Sequence, residues 1–214
     1  MQIRLIRWLA LSGFLIAGSA AADGFGLGVK AGTLGLGVEG TFALSERVNL
    51  RAGINNYSLS RDETASDIQY DGDLDLQSGA VLLDWHPFAG TFRLSAGLMY
   101  NKNSLSLTAT PTSNQEIGNT TYTPAQIGTL TGDVAFKKNV PYAGLGWGNA
   151  ARHGRVGFNF ELGAMFQGSP KVSLSASGGA VSQADLASEA QQAEGDLKDF
   201  KIYPVISFGL SFRF

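Results

Sequence analysis

The sequence predicts an all-β fold, an antiparallel eight-stranded up-and-down barrel, and three observations predict it. Apolar residues recur at every second position over most of the chain, which is the period of a β-strand. Glycine is frequent, at 28 of 214 residues, whereas charged residues make up only 16%. Downstream of residue 22, no apolar run approaches the roughly 20 residues that a membrane-spanning helix requires.

Composition excludes several classes of protein. The chain has no cysteine, so it has neither disulfides nor thiolate chemistry. The formal charge of −2 gives no basic excess, so no nucleic-acid partner is expected. The chain is too apolar and too poor in charge to be disordered. The length fits one domain, and no motif indicates a cofactor.

The first 22 residues are typical of a cleaved secretory signal peptide. Arg4 and Arg7 supply its positive region, and residues 8–17 form its mostly apolar centre. Small residues at 19–22 predict cleavage after Ala22. A membrane anchor is the alternative, but the apolar stretch is too short to span a bilayer. Residues 23–214 are therefore expected to form an exported barrel.

Each predicted strand alternates large apolar residues with polar or small ones. Within 155–167, Phe158 and Phe160 share one side, and Asn159 and Glu161 share the other. The predicted strands are 24–31, 33–44, 48–59, 74–86, 92–107, 135–148, 155–167 and 202–214. Their even number fits a bacterial outer-membrane barrel.

Connection lengths orient the predicted barrel. Short connections lie at 45–47, 86–91 and 149–154, and long ones lie near 60–73, 108–134 and 168–200. Short turns of outer-membrane barrels face the periplasm, and long loops face outward. This pattern requires a tight outer hairpin at 31–33. The alternation slips near Pro141 and past Lys102, which indicates bulges or strand ends.

The composition of the two strand faces favours a membrane barrel. One face is mostly glycine and serine, which fits a crowded lumen better than a solvated surface. A soluble sandwich or a lipocalin-like barrel is the alternative. The apolar face carries aromatic residues near strand ends, as an interfacial girdle requires. The predicted girdle residues are Trp85, Phe92, Trp147, Phe158, Phe166 and Phe212.

Charged residues on the small-residue face are predicted to point into the lumen. They are Lys30, Glu39, Arg51, Asp84, Arg93, Arg155, Glu161 and Arg213. Eight strands leave an interior just wide enough for side chains, and buried charges must pair. We expect Glu39 and Glu161 to meet Arg51 and Arg93 at mid-barrel. Such a network either seals the lumen or, alternatively, lines a narrow ion path.

The last eight residues carry a resemblance to a known family. Residues 207–214 have apolar residues at every second position, namely Phe208, Leu210, Phe212 and the terminal Phe214. This pattern resembles the C-terminal β-signal of Gram-negative outer-membrane proteins. Residues 24–214 resemble the small eight-stranded barrels, such as OmpX, OmpW and the membrane domain of OmpA. The resemblance implies an outer-membrane location, contact with membrane lipid and lipopolysaccharide, the barrel-assembly machinery as a partner, and a monomer.

Two sets of polar residues are weaker candidates for chemistry. Asp71, Asp73 and Asp75 space three carboxylates two residues apart, a weak pattern for a hard cation, and a solvated acidic loop is the alternative. His86 shares a strand face with Asp84, but no adjacent serine completes a hydrolase site. The second histidine, His153, lies in a predicted turn. The sequence therefore predicts no enzyme.

The last long connection predicts a short helix within 182–200. Ser182 followed by Asp185 is a capping signature. Leu186, Ala190, Ala193, Leu197 and Phe200 fall at helical spacing. We expect this helix to cap the barrel mouth, and a partner- or lipid-binding role is the alternative.

Three functions follow from this reading. The first is a non-enzymatic barrel with a filled lumen, which supports the envelope or makes surface contacts through its long loops. The second is a narrow channel for small or apolar solutes, as the resemblance to OmpW implies. The third and most remote is a lipid-modifying enzyme, which would need a Ser–His pair at one rim.

Overall fold

The computed structural model describes residues 24–65, 68–152 and 154–214. The predicted signal peptide, residues 1–22, lies outside these ranges. Within them, no helix is both long and apolar enough to cross a membrane. The elements in chain order are β1 (Phe25–Gly32), β2 (Gly35–Ala43), β3 (Val48–Ala65), β4 (Ile68–Trp85), β5 (Phe92–Asn101), β6 (Ser104–Thr110), β7 (Gln115–Ile117), β8 (Thr120–Tyr122), α1 (Pro124–Ile127), β9 (Leu130–Ala135), β10 (Asn139–Trp147), β11 (Val156–Met165), β12 (Lys171–Ala176), α2 (Gln183–Asp196) and β13 (Tyr203–Arg213).

Eight of these strands close into an antiparallel ring. The order around the ring is β1, β2, β3, β4, β5, β10, β11 and β13, and β13 pairs back with β1. Every ring strand overlaps a strand predicted from period-two alternation, including the short first one. The turns between β2 and β3, β4 and β5, and β10 and β11 lie at one end, which we call the near end. The long connections lie at the opposite end, called the far end.

The far end holds more regular structure than the sequence predicts. β3 and β4 each run for 18 residues, so most of the predicted loop 60–73 is a continuous hairpin. On the near-end side of Gln77, β4 pairs with β5, and on the far-end side it pairs with β6. The predicted strand 92–107 is accordingly divided between β5 and β6. The upper parts of β3 and β4 continue through β6 and β9 to β12, and these five strands form the far-end sheet.

The connections at the far end also share a small hydrophobic core of their own. Its buried members are Ile117, Tyr122, Ile127, Val181 and Leu186. Two different connections contribute them, the one between β5 and β10 and the one between β11 and β13, so the outer segments fold as one unit rather than as separate loops. The predicted helix is present as α2, which begins after Ser182 and packs on β12. Of its predicted apolar face, only Leu186 is buried, whereas Ala190 and Ala193 are partly exposed and Phe200 lies exposed beyond the end of α2 at Asp196.

The start of α2 makes this unit sensitive to acid. The Asp185 carboxylate accepts hydrogen bonds from the Tyr122 and Ser182 hydroxyls at 2.6 and 2.8 Å. These bonds hold the pKa of Asp185 below its ordinary value of 3.8. The ionised carboxylate therefore stabilises the unit above pH 3.8, and this contribution is lost as pH falls through the lowered pKa.

We expect amide hydrogen exchange in β8 and at the start of α2 to quicken below pH 3.8, after correction for intrinsic rates. Asp185→Asn should show the quicker exchange already at pH 7. Exchange at Leu82 and Met99 within the barrel serves as the internal control. Equal protection of wild type and Asp185→Asn at pH 7 would contradict this role for the carboxylate.

Candidate functional site: the barrel lumen

Large apolar side chains cover the outside of the ring. Phe158 is 81% exposed, Leu98 is 65% exposed and Ile54 is 64% exposed. The polar and small residues of the same strands point inward and are buried. This arrangement is the reverse of a water-soluble fold and matches the lipid-facing band of a membrane barrel.

A row of aromatic side chains runs across the outer surface of the barrel, close to the end that holds the short turns. Ring contacts link Phe88 to Phe92, Phe92 to Trp147, Trp147 to Phe160, and Phe160 to Phe208. Of the predicted girdle residues, Trp85, Phe92, Trp147 and Phe212 lie at near-end strand termini, Phe158 lies two residues into β11, and Phe166 lies past its far end.

The polarity of the wall inverts partway up β3 and β4. On β3, outward Ala52 and Ile54 give way to outward Asn56 and Ser58, while inward positions change from polar to apolar at Tyr57. On β4 the same change occurs at Gln77, which lies opposite Asn56. Outward positions are apolar where the wall faces hydrocarbon and polar where it faces water. The inversion marks the level at which the wall leaves its apolar band.

A charged layer centred on Arg51 crosses the lumen. The Arg51 guanidinium lies 2.8 Å from Asp84 through Nε, and its Nη1 lies 3.2 Å from Glu39 and 2.5 Å from Glu161. Arg93 lies 2.8 Å from Glu161. All five side chains are at most 6% exposed. The structure thus brings together the four residues predicted to meet at mid-barrel and adds Asp84.

The contact between Arg51 and Glu161 spans the full width of the ring. Arg51 is on β3 and Glu161 is on β11, and three strands separate these two in either direction. Side chains from opposite walls therefore touch at the centre. Tyr142 on β10 donates a hydrogen bond to Glu161 and lies over Gly163, where an added Cβ would clash with the tyrosine ring.

The layer is electrically balanced. Lys30 on β1 completes it through a 3.0 Å ion pair with Glu39, so three cations face three carboxylates. With Tyr142, the contacts join seven of the eight ring strands. Balanced, mutually paired charges leave no net charge that would attract an ion of either sign into the lumen.

Two predicted members of the network lie apart from it. Arg155 precedes β11 and is exposed at the near end. Arg213 ends β13, and its guanidinium donates to the Arg152 carbonyl at 3.3 Å. Both have the inward phase, but they sit at strand termini where the lumen opens. Phase alone predicts the side of the wall and not the depth along it.

An apolar layer, which the alternation of the sequence does not predict, lies between the charged layer and the far end. It consists of Leu34, Leu82, Met99, Val140, Tyr142, Met165 and Val205. Met165 is fully buried and Val140 is 1% exposed. Beyond it lie the buried amides and hydroxyl of Asn55, Ser78, Asn101 and Gln167. The lumen is therefore filled by layers of different chemistry and not by charges alone.

The turn between β10 and β11 folds into the near-end mouth. Ala150 and Ala151 are 8% and 1% exposed, and a Cβ on Gly26 would lie 2.2 Å from the Ala150 carbonyl oxygen. Only glycine at position 26 allows this approach. Asn49 Nδ2 bonds to Asn149 Oδ1 at 3.1 Å and to His86 Nε2 at 3.2 Å. We call residues 149–151 the near-end stopper.

The weaker candidates for chemistry take other positions. His86 contacts the Gly90 carbonyl through Nδ1 and Asn49 through Nε2, and so does not bond to Asp84. Ser95 Oγ donates to Asp84 instead, at 2.6 Å. His153 lies outside the described residues. Asp71, Asp73 and Asp75 project outward from one strand of the far-end sheet. Among the described residues, no three carboxylate or imidazole groups are placed to hold a metal ion.

Comparison with known proteins identifies the fold. No protein-family model matches the chain, and no curated protein matches it. Among solved structures, it is similar to CarO2 of Acinetobacter baumannii, with 23% identity, a TM-score of 0.58, and coverage of 88% of this chain and 97% of that one. It is also similar to CarO of the same organism, with 23% identity, a TM-score of 0.57, and coverage of 87% and 96%. The chain therefore shares the fold of these two proteins along almost their whole length.

Proposed function

We propose that this protein is a non-enzymatic outer-membrane barrel with a sealed lumen, which acts through the unit at its far end. Its apolar outer wall contacts lipid, and its far-end sheet lies among lipopolysaccharide headgroups. The inversion of wall polarity at Asn56 and Gln77 supports the membrane placement. The likeness to CarO and CarO2 supports the fold.

The observation that carries the sealed lumen is the ion pair between Arg51 and Glu161. It joins opposite walls at 2.5 Å, so it occupies the centre of the lumen. The apolar layer above it removes polar groups that a water column would need. The near-end stopper closes the mouth below it. Three successive obstacles of different chemistry therefore oppose passage of ions or solutes.

Single-channel recording in planar lipid bilayers tests this proposal. We expect the purified wild-type protein to give no steady conductance, with rare, brief openings when an ion pair breaks. A porin in the same bilayers serves as the positive control. Steady ohmic conductance from the wild-type protein would contradict the sealed lumen and favour a narrow channel for small solutes.

A further inference from the structure

The far-end sheet has two outer edges, and only one of them is covered by another element. At one edge, α2 lies beside β12, and Glu194 accepts a hydrogen bond from the Val172 backbone amide at 3.1 Å. At the other edge, β3 continues beyond the last residue that pairs with β2, Asn56. No described strand pairs with residues 58–62 on that side. We call residues 58–62 the open edge.

The direction of the backbone groups follows from the hydrogen bonds of Gln77. Its carbonyl accepts from the Lys102 amide and its amide donates to Asn103, so both Gln77 groups point away from β3. Asn56 lies opposite Gln77, so this pair exchanges no hydrogen bonds and Asn56 points away from β4. The register continues without a bulge to residue 65. Ser58, Ser60 and Asp62 therefore present their N–H and C=O groups at the open edge.

The two faces beside the open edge differ, because the inner face is apolar except for Arg61 and the outer face is acidic. On the inner face, apolar side chains remain partly uncovered, with Tyr57 42%, Leu59 37%, Tyr70 40% and Leu107 47% exposed. On the outer face, Asp62 lies opposite Asp71, and Ser60 lies opposite Asp73. A strand added here would place alternate side chains against an apolar face and an acidic face.

We propose that the open edge binds an extended peptide segment of a partner protein in which apolar and basic residues alternate. Edge backbone groups supply affinity in such strand addition, and the two faces supply specificity. Apolar residues of the segment would pack beside Tyr57 and Leu59, and basic residues would lie beside Asp62 and Asp71. This inference rests on the proposed function, which places the far-end sheet beyond the hydrocarbon layer, among the lipopolysaccharide headgroups.

A second copy in the same membrane does not fit this edge. A two-fold axis along the membrane normal keeps both β3 strands running away from the membrane, so they cannot pair antiparallel. Because barrel strands tilt by about 35–45°, the two edges would also cross rather than align. The occupant is therefore a separate segment that is free to choose its direction.

Binding of a fluorescent, acetylated peptide of alternating valine and lysine tests the proposal, with the full-length mature protein in detergent and anisotropy as the readout. Ser60→Pro removes a backbone N–H at the open edge and leaves the hydrogen bonds between β3 and β4 in place. Edge strands tolerate proline at such a position. We expect about tenfold weaker binding, which is the loss of one hydrogen bond of about 1.4 kcal/mol. Ser60→Ala, which keeps the N–H, is the matched control and should bind as wild type.

Charge provides an independent arm if Ser60→Pro does not fold. Asp62→Lys should weaken binding of the valine–lysine peptide and strengthen binding of a valine–glutamate peptide. Equal binding to wild type, Ser60→Pro and Asp62→Lys, or no binding to wild type, would overturn the open-edge proposal. Neither result bears on the sealed lumen, which bilayer conductance tests separately.

Discussion

Replacing Glu161 by alanine is expected to destabilise the barrel by about 3–5 kcal/mol, the usual effect of removing one partner from a buried ion pair. The Glu161 carboxylate contacts Arg51 and Arg93 and accepts from Tyr142. Without it, two guanidinium groups remain buried with only Asp84 and Glu39 as charged partners. The lumen then holds a net positive charge in a setting of low dielectric.

Urea unfolding in lipid vesicles, followed by tryptophan fluorescence, measures this loss. Lys30→Ala is the matched control, because Lys30 is 14% exposed and its partner Glu39 still pairs with Arg51 after the substitution. We expect Lys30→Ala to cost less than Glu161→Ala, because it breaks one ion pair, whereas Glu161→Ala breaks two ion pairs and a hydrogen bond. In bilayers, Glu161→Ala should open more often than wild type. Equal stability of the two variants would show that Glu161 does not hold the charged layer together.

The eight ring strands could be predicted from the sequence because a two-sided wall leaves a strong signal. Lipid on one side and a narrow lumen on the other require a change of polarity at every residue. Glu161 illustrates this, since Phe160 and Leu162 on either side face outward. The same signal predicted that carboxylates and guanidiniums would share the lumen.

The far-end sheet could not be predicted in the same way. Its strands still alternate, but Ser58, Ser60 and Asp62 occupy the side that is apolar lower down. A pattern rich in serine and aspartate is typical of a loop, so the sequence predicts a loop for residues 60–73. The signal that would have revealed the hairpin is the continued alternation of Tyr57 and Leu59 with these polar residues.

The sequence also does not predict how deep along the barrel axis a residue lies. Arg213 and Arg51 have the same inward phase, but only Arg51 reaches other charges. Depth depends on the tilt and stagger of all eight strands, which no single strand encodes. The apolar layer was missed for the same reason. Met99, Met165 and Val205 lie on three different strands and meet only when the ring closes.

Deleting Phe214 is expected to abolish assembly of the barrel in the outer membrane. The Phe214 amide donates to the Phe25 carbonyl at 3.1 Å, and its ring stacks on Phe25 with centroids 6.0 Å apart. Phe214 thus lies at the seam where the last strand meets the first. We propose that the same residue is the terminal contact for the assembly machinery, because residues 207–214 resemble the β-signal. We expect unfolded protein in the periplasm and loss of the heat-modifiable band on gels.

Two comparisons separate recognition by the assembly machinery from closure of the seam. Phe88→Ala removes an outer aromatic that is 80% exposed at the same end of the barrel, and it should assemble normally. Purified protein lacking Phe214 should still refold from urea into detergent, because two ring contacts, with Phe25 and Phe212, and one hydrogen bond contribute only about 2–4 kcal/mol. Failure in cells together with refolding in detergent would assign Phe214 to recognition. A wild-type level of the heat-modifiable band in cells that produce the protein without Phe214 would contradict both roles. Neither closure of the seam nor recognition by the assembly machinery would then depend on this residue.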